Sequence, residues 1–377
     1  MIIVGISLVV TILLLFVLHY FFPYFFKAFR LTILRGHRTA TIYDLPDFKS
    51  RTIFGGVALP WPTEPRKEMG QLSSDFAKKL ANMKTSAFLV AQNGVMVHES
   101  YYDDHSKDTL SNSFSIAKTI VALLAGKAIE DGYLAGLDQR VSTFFPQYNY
   151  PQADHLTIRD LIRMSSGMDW KENYYLPLNE TTDAYYGDRL SELILSRKIL
   201  QQPGKEFNYQ SGNTQLLGMI LDQVLPMSLS DYLSERFWKP LGMEQDAHWT
   251  IDEASDIEKT YCCIHATARD FMKFGQLFLQ EGNWAGENLI SSDFLKEMRT
   301  VGFAASPQYG AGLWLDDSYS TPFYLMRGHL GQYVIVIPSK DLVICRIGQK
   351  YRKDDNPPRL QLEDIYMYVD GALAMVD

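Results

Sequence analysis

The chain reads as an α+β domain: a mainly antiparallel sheet flanked by helices, with an inserted, mostly helical subdomain, preceded by an N-terminal transmembrane helix. Three observations predict this. β-Hairpin patterns stand near both ends of the domain, helical patterns fill the interval between them, and an uncharged apolar run opens the chain. Ile2 to Phe26 carries no charged side chain and exceeds the roughly 20 apolar residues that span a bilayer, so residues 1–26 are expected to anchor the protein in a membrane as a single pass. Tyr20, Phe21, Phe22, Tyr24 and Phe25 end the run as interfacial aromatics do. No basic region precedes it and no small-residue cleavage site follows, which disfavours a removable signal peptide.

Residues 27–71 form a basic juxtamembrane segment and linker. Its first charges are Lys27, Arg30, Arg35 and Arg38, suited to anionic headgroups, and by the positive-inside rule they would hold the following domain in the cytoplasm. Gly55-Gly56 and Pro60-Trp61-Pro62 mark the linker, and the folded domain is expected over residues 72–377. Ser86 to Gln92 and Val95 to Tyr101 are β-prone runs joined by Asn93-Gly94, a strong hairpin signal. Tyr333 to Ile337 and Leu342 to Ile347 flank a Pro-Ser-Lys-Asp turn, and their unbroken apolar character predicts strands covered on both faces. Ser115 to Asp131, Ser228 to Trp238 and Ala268 to Gln280 read as helices.

A net charge of −8 over 377 residues describes an acidic surface and argues against a nucleic-acid partner. Of three cysteines, two are the neighbours Cys262 and Cys263, so neither a disulfide framework nor a metal-ligand spacing is expected, and the cysteines read as small buried side chains. No His-Glu-x-x-His spacing occurs, so no metal and no other cofactor is expected. The absence of a Gly-x-Ser-x-Gly elbow disfavours an α/β-type hydrolase.

Ser115-Ile116-Ala117-Lys118 opens an apolar helix, and residues three apart share a helix face, which sets the lysine amine beside the serine hydroxyl. Serine is a weak nucleophile without a base in reach, and lysine serves as one only when burial lowers its pKa from about 10.4. Tyr209-Gln210-Ser211-Gly212-Asn213 follows a turn-rich segment and offers a tyrosine for proton relay; Tyr232-Leu233-Ser234 shares the short pattern but lies within an amphipathic helix and reads as packing. Gly328-His329-Leu330-Gly331-Gln332 leads straight into a strand, where glycines permit close backbone approach by a ligand and where the amides of Gln332 and Ser115 are candidates for an oxyanion hole.

In this order and spacing the three segments resemble the β-lactamase and penicillin-binding-protein superfamily, in the branch that holds class C β-lactamases, D-alanyl-D-alanine peptidases, esterases and 6-aminohexanoate-dimer hydrolases. Leu161 to Gly167, Ala266 to Asp270 and Tyr309 to Trp314 look like scaffold and pocket-wall segments of the same family. The resemblance implies a serine hydrolase that cleaves a small-molecule ester or amide, membrane-anchored through the N-terminal run. Ser115 would be acylated, Lys118 and Tyr209 would share proton transfer, and Ser211, His329, Gly331 and Gln332 would bind substrate. It also implies an extracytoplasmic, periplasmic catalytic domain, against the basic flank. Ser211 stands where class C enzymes carry asparagine and His329 where they carry the lysine of Lys-Thr-Gly; both departures are similar to the esterase and 6-aminohexanoate-dimer side. A histidine with a pKa near 6.5 is mostly neutral at pH 7.5, which predicts a preference for carboxylate-free esters over benzylpenicillin. The competing expectation is a penicillin-binding or sensor protein that is acylated by cell-wall peptide or β-lactam without efficient turnover.

Overall fold

A computed structural model describes residues 13, 16, 20–63, 70–352 and 359–376. In chain order its strands are β1 (Ser50–Ile53), β2 (Thr85–Gln92), β3 (Val95–Tyr101), β4 (Ser111–Asn112), β5 (Ala247–Asp252), β6 (Ile257–Glu258), β7 (Ile264–Ala266), β8 (Asn283–Trp284), β9 (Glu287–Asn288), β10 (Trp314–Asp316), β11 (Phe323–Gly328), β12 (Gln332–Ile337) and β13 (Leu342–Gly348). Six of them form the main sheet, wholly antiparallel, in the order β10-β11-β12-β13-β2-β3. The two hairpins seen in the sequence thus become neighbours, because β13 pairs with β2.

The unbroken apolar runs have the predicted cause. Along β2, β12 and β13, residues Phe88, Val90, Ile335, Ile337 and Ile344 pack on one face with Phe76 and Leu80 of the helix Ser74–Asn82 and Ile365 and Val369 of the C-terminal helix Glu363–Val376. The alternate residues Leu89, Ala91, Val334, Val336, Val343 and Cys345 pack on the other face with Phe271, Phe274 and Phe278 of the helix Ala268–Leu279. Strands covered on both sides cannot alternate apolar with polar, so their hydropathy is continuous. Thr267 caps that last helix by accepting the Asp270 N–H.

A smaller antiparallel sheet, β1-β5-β7-β4 with β6 beside β5, lies next to the start of the helix Ile116–Glu130. Its strand β1 comes from within residues 27–71, the segment expected to be a linker.

The N-terminal expectation is corrected. Most of Ile2 to Phe26 lies outside the described residues, and among the described residues no helix is long and apolar enough to cross a membrane. A single-pass membrane protein, and the extracytoplasmic placement built on it, is therefore unsupported. Part of the run's end is instead spoken for by the domain: from Pro23 a short helix, Tyr24–Leu31, turns Tyr24, Ala28 and Leu31 into the core, and it packs on the helix Glu180–Tyr186. The basic cluster is partly engaged too, with Lys27 over the Phe48 ring at 4.6 Å and Arg35 forked on Asp47.

Candidate active site

The chain reaches the helix Ile116–Glu130 through a constrained corner. Phe114 has φ +43°, a left-handed conformation that costs a bulky residue energy and persists only where its surroundings hold it. Asn112 supplies one hold: its Oδ1 accepts the Phe114 N–H at 2.9 Å, while its Nδ2 donates to Tyr185 Oη at 2.9 Å and Asp44 Oδ1 at 3.2 Å. Ser113 supplies another, donating its N–H to the Ile264 carbonyl at 2.7 Å and accepting the Ile264 N–H on Oγ at 3.1 Å. Burial raises the Asp44 carboxyl to about 6. Ser115 then stands at the N-cap position of the helix.

One turn on, Lys118 is buried and its Nζ lies 3.0 Å from Ser115 Oγ and 2.7 Å from the Tyr261 carbonyl oxygen. The helix around it is apolar on nearly every side. Burial lowers the Lys118 amine to about 8, with the negative charge of Glu172 opposing the shift. The free base is therefore a minor form at pH 7 and becomes a substantial fraction at mildly alkaline pH, as a general base requires.

Tyr209 closes the set. Its phenol is hydrogen-bonded with Ser115, its ring faces Lys118 Nζ at 5.3 Å, and it packs against Trp314 and Tyr309 at 5.3 and 6.1 Å. Burial pushes its pKa well above the ordinary value, so it is a neutral phenol. Tyr232, the other match to the short pattern, is buried elsewhere and donates to Asp131 Oδ2 at 2.7 Å.

Ser211 lies beside the cleft, donating both its N–H (2.7 Å) and its hydroxyl (2.6 Å) to Glu172. Glu172 also accepts from Trp170 Nε1 at 2.8 Å. His329 sits among the rings of Phe114, Tyr174, Tyr175 and Tyr351, at 4.8 to 6.0 Å, and burial lowers its pKa to about 4. Gly328, immediately before it, is where β11 meets the corner at Phe114: a Cβ there would stand 2.3 Å from the Ser113 carbonyl oxygen and 3.3 Å from Ser115 N. Only glycine permits that approach.

Gly331 and Gln332 are placed differently from the expectation. The Gln332 side chain is buried and bonded to the His329 carbonyl (3.0 Å) and to both polar atoms of the Gly348 backbone (2.7 and 3.2 Å), and a Cβ at Gly331 would meet Arg346 Nη1 at 2.0 Å. Both residues brace the hairpin beneath the site, and neither lines the cavities at Ser115.

Two cavities open at Ser115. An open cleft of about 340 Å³ is bounded by Glu172, Tyr209, Trp314, Arg327, Gly328 and His329. A narrow apolar recess on the other side is bounded by Phe114, Tyr185, Tyr186, Tyr261 and Cys262. Tyr174 lines both, Tyr175 the cleft, and Tyr185 and Tyr186 the recess.

Sequence reasoning missed Asn112, Asp44, Glu172, Arg327 and the Tyr261 carbonyl. Arg327 carried a signal, as a lone charge in the otherwise apolar strand Phe323–Gly328. The reading of Cys262 and Cys263 as unbonded small residues is also corrected: they form a disulfide with each other, leaving Cys345 free and buried.

Comparisons with known proteins identify the family. The family model described as Beta-lactamase matches residues 73–362. A 6-aminohexanoate-dimer hydrolase of Paenarthrobacter ureafaciens is 24% identical over 311 residues, covering 76% of this chain and 79% of that protein. A Bacillus anthracis structure, provisionally assigned as a 6-aminohexanoate-dimer hydrolase, superposes with a TM-score of 0.75 at 21% identity over 89% of this chain and 93% of its own. A family VIII carboxylesterase structure gives 0.62 at 15% identity over 86% and 100%. With the family model matched over residues 73–362, most of the chain, this chain belongs to the Beta-lactamase family and is a serine hydrolase.

Proposed function

We propose that the protein cleaves a carboxylic ester or amide through an acyl-enzyme on Ser115, with Lys118 and Tyr209 moving the proton. The observation that carries this reading is the buried Lys118 amine, 3.0 Å from Ser115 Oγ and lowered to about 8. Neutral Lys118 takes the Ser115 hydroxyl proton as Oγ adds to the substrate carbonyl. The negative charge that develops on the carbonyl oxygen is met by the amides of Ser115 and His329, each at the start of a helical turn and so without an intrahelical acceptor. The proton held by Lys118 passes through the Tyr209 hydroxyl to the departing alcohol or amine, which leaves the acyl group on Ser115. Water then repeats the sequence in the opposite direction and frees the acid.

The catalytic unit in this reading is residues 72–377, with the nucleophile corner braced by Asp44 from the segment before it. Ser211 holds Glu172 in place, and His329 contributes its amide and its neutral ring to the wall of the cleft. Nitrophenyl-ester turnover by the wild type, Ser115→Ala, Lys118→Ala and Tyr209→Phe tests this assignment. Loss by more than about 10³-fold in the first two, and by about 10²-fold or more in the third, is expected. Retained turnover in Ser115→Ala refutes it, and a stable adduct without turnover in the wild type would indicate an acylated sensor instead.

A further inference from the structure

Two cavities meet at Ser115, and the proton path decides which of them takes the acyl group. Tyr209, which hands the proton to the departing alcohol or amine, borders the open cleft and not the recess. The leaving atom must come within hydrogen-bond reach of that phenol, so the leaving group occupies the cleft and the acyl chain turns into the recess. The recess is small. Its volume is about 40 Å³, and at the roughly 10–15 Å³ that one water-sized group takes it has room for about three such groups.

Its walls are uncharged. None of the described residues that bound it is an acid, a lysine or an arginine, and His329, lowered to about 4, is neutral at pH 7. The hydroxyls of Thr181 and Thr182 are spent on the carbonyls of Lys171 and Leu176, at 3.2 and 2.6 Å, and that of Tyr185 on Asp44. One wall is built by chain outside the family match, which begins at residue 73. Thr39 and Ala40 bound the recess, and the segment is fixed two residues on, where the Ile42 carbonyl accepts the Asn112 N–H at 2.9 Å. Tyr186 borders both the recess and a second, apolar groove of about 250 Å³ walled by Phe25, Phe29, Ile33 and Leu176, so its side chain is a partition between them. It is buried, with the rings of Tyr185 at 4.9 Å and Phe48 at 6.2 Å packed against it.

We propose that the recess is the acyl pocket of this hydrolase, that its substrate is an ester or amide of a short uncharged acid of up to about four carbons, and that Ala40 and Tyr186 set this limit. The proposal rests on the acyl-enzyme reading above and deepens it. A butyryl group carries a propyl chain beyond its carbonyl, which fills the recess, whereas a hexanoyl chain would have to displace Tyr186 or crowd Ala40. The segment ahead of the family match thereby takes part in substrate choice, because a side chain larger than alanine at position 40 would claim the space of the acyl chain.

The test varies one side of the ester at a time. Turnover of 4-nitrophenyl acetate, butyrate and hexanoate changes the acyl chain alone, and turnover of ethyl, butyl and hexyl acetate, followed by acid release, changes the leaving group alone. In the wild type kcat/KM should favour butyrate over hexanoate by about tenfold or more, the discrimination an apolar pocket exerts on one or two methylenes, while the acetates of the different alcohols should differ little. Ala40→Leu should lower the butyrate-to-acetate ratio by about tenfold. Tyr186→Ala, which opens the recess into the groove beyond, should raise the hexanoate-to-butyrate ratio to about one or above. Each ratio is internal to one protein, so a loss of folded fraction cancels. Ligand-observed NMR with butyramide reads the recess without turnover: saturable binding should occur in the wild type and be lost in Ala40→Leu whose near-ultraviolet circular dichroism matches the wild type. Hexanoate turned over as well as butyrate by the wild type, either ratio unchanged in its variant, or butyramide binding that is absent from the wild type or survives Ala40→Leu, overturns the proposal. So does an Ala40→Leu effect confined to the alcohol series. Butyramide binding that behaves as expected, without turnover of any ester, would support the recess as the chain site and count against the acyl-enzyme reading.

Discussion

The Lys118 amine donates to the Tyr261 carbonyl oxygen at 2.7 Å while it also reaches Ser115 Oγ, so a backbone acceptor, not a carboxylate, is what steadies it. The consequence is electrostatic. A carboxylate in contact would hold the amine protonated, whereas a carbonyl lets burial lower it to about 8.

The pH profile follows. The base form of Lys118 grows as pH rises through about 8, so kcat/KM for a neutral ester should climb from pH 6 to 9 with an apparent pKa near 8. His329, lowered to about 4, should add no inflection between pH 6 and 7. For stability the sign is opposite to the usual salt bridge. The folded-state pKa lies below the unfolded value of about 10.4, so this group's contribution is lost as pH falls from 10 through 8. At pH 7 the buried amine costs up to about 3 kcal/mol. Lys118→Met should therefore abolish activity with thermal stability at pH 7 unchanged or raised, and a marked loss of melting temperature would contradict this.

Glu172→Gln removes the negative charge that opposes the Lys118 shift. The acidic limb of the kcat/KM profile should move to lower pH. The variant also loses one of the oxygens that receive Ser211 N–H and Oγ–H and Trp170 Nε1, which should lower stability by about 1–3 kcal/mol in denaturant melts. A limb that stays in place or moves up would show that Glu172 does not act on Lys118.

Asn112→Ala should reveal how far the corner at Phe114 depends on its holder. The substitution leaves the Phe114 N–H, Asp44 and Tyr185 each short of a partner, an expected cost of about 1–3 kcal/mol. A displaced nucleophile lowers kcat more than it raises KM, by tenfold or more. An unchanged kcat would mean that the corner holds itself.

Alkylation of the denatured protein without reductant should modify one cysteine, Cys345, and alkylation after reduction all three. Three modified cysteines before reduction would exclude the bond between Cys262 and Cys263.

Legibility in the sequence tracked the range of the interactions. The hairpins Thr85–Tyr101 and Gln332–Gly348 and the helix Ile116–Glu130 are local in origin, and turn residues and apolar periodicity announced them. The small sheet was invisible because β4, β6 and β7 are two or three residues long, and β1 and β4 find their partners far along the chain. Ser115 and Lys118 were legible because their spacing lies within one helical turn. Glu172 and Asn112 were not, since each is placed by partners distant in sequence. The expectation for the N-terminal run failed at its described end because length and hydropathy alone do not show that the short helix Tyr24–Leu31 packs Tyr24, Ala28 and Leu31 into the core of the domain.

The central claim is that Ser115 carries the acyl group, and acid-quenched peptide mapping after brief mixing with 4-nitrophenyl acetate tests it most directly. The account predicts one acetyl group on the peptide containing Ser115 in the wild type and, in greater yield at steady state, in a Tyr209→Phe variant whose deacylation is slowed, with none in Ser115→Ala. An acetyl group found reproducibly on another residue, with the Ser115 peptide unmodified while ester is being consumed, would contradict it.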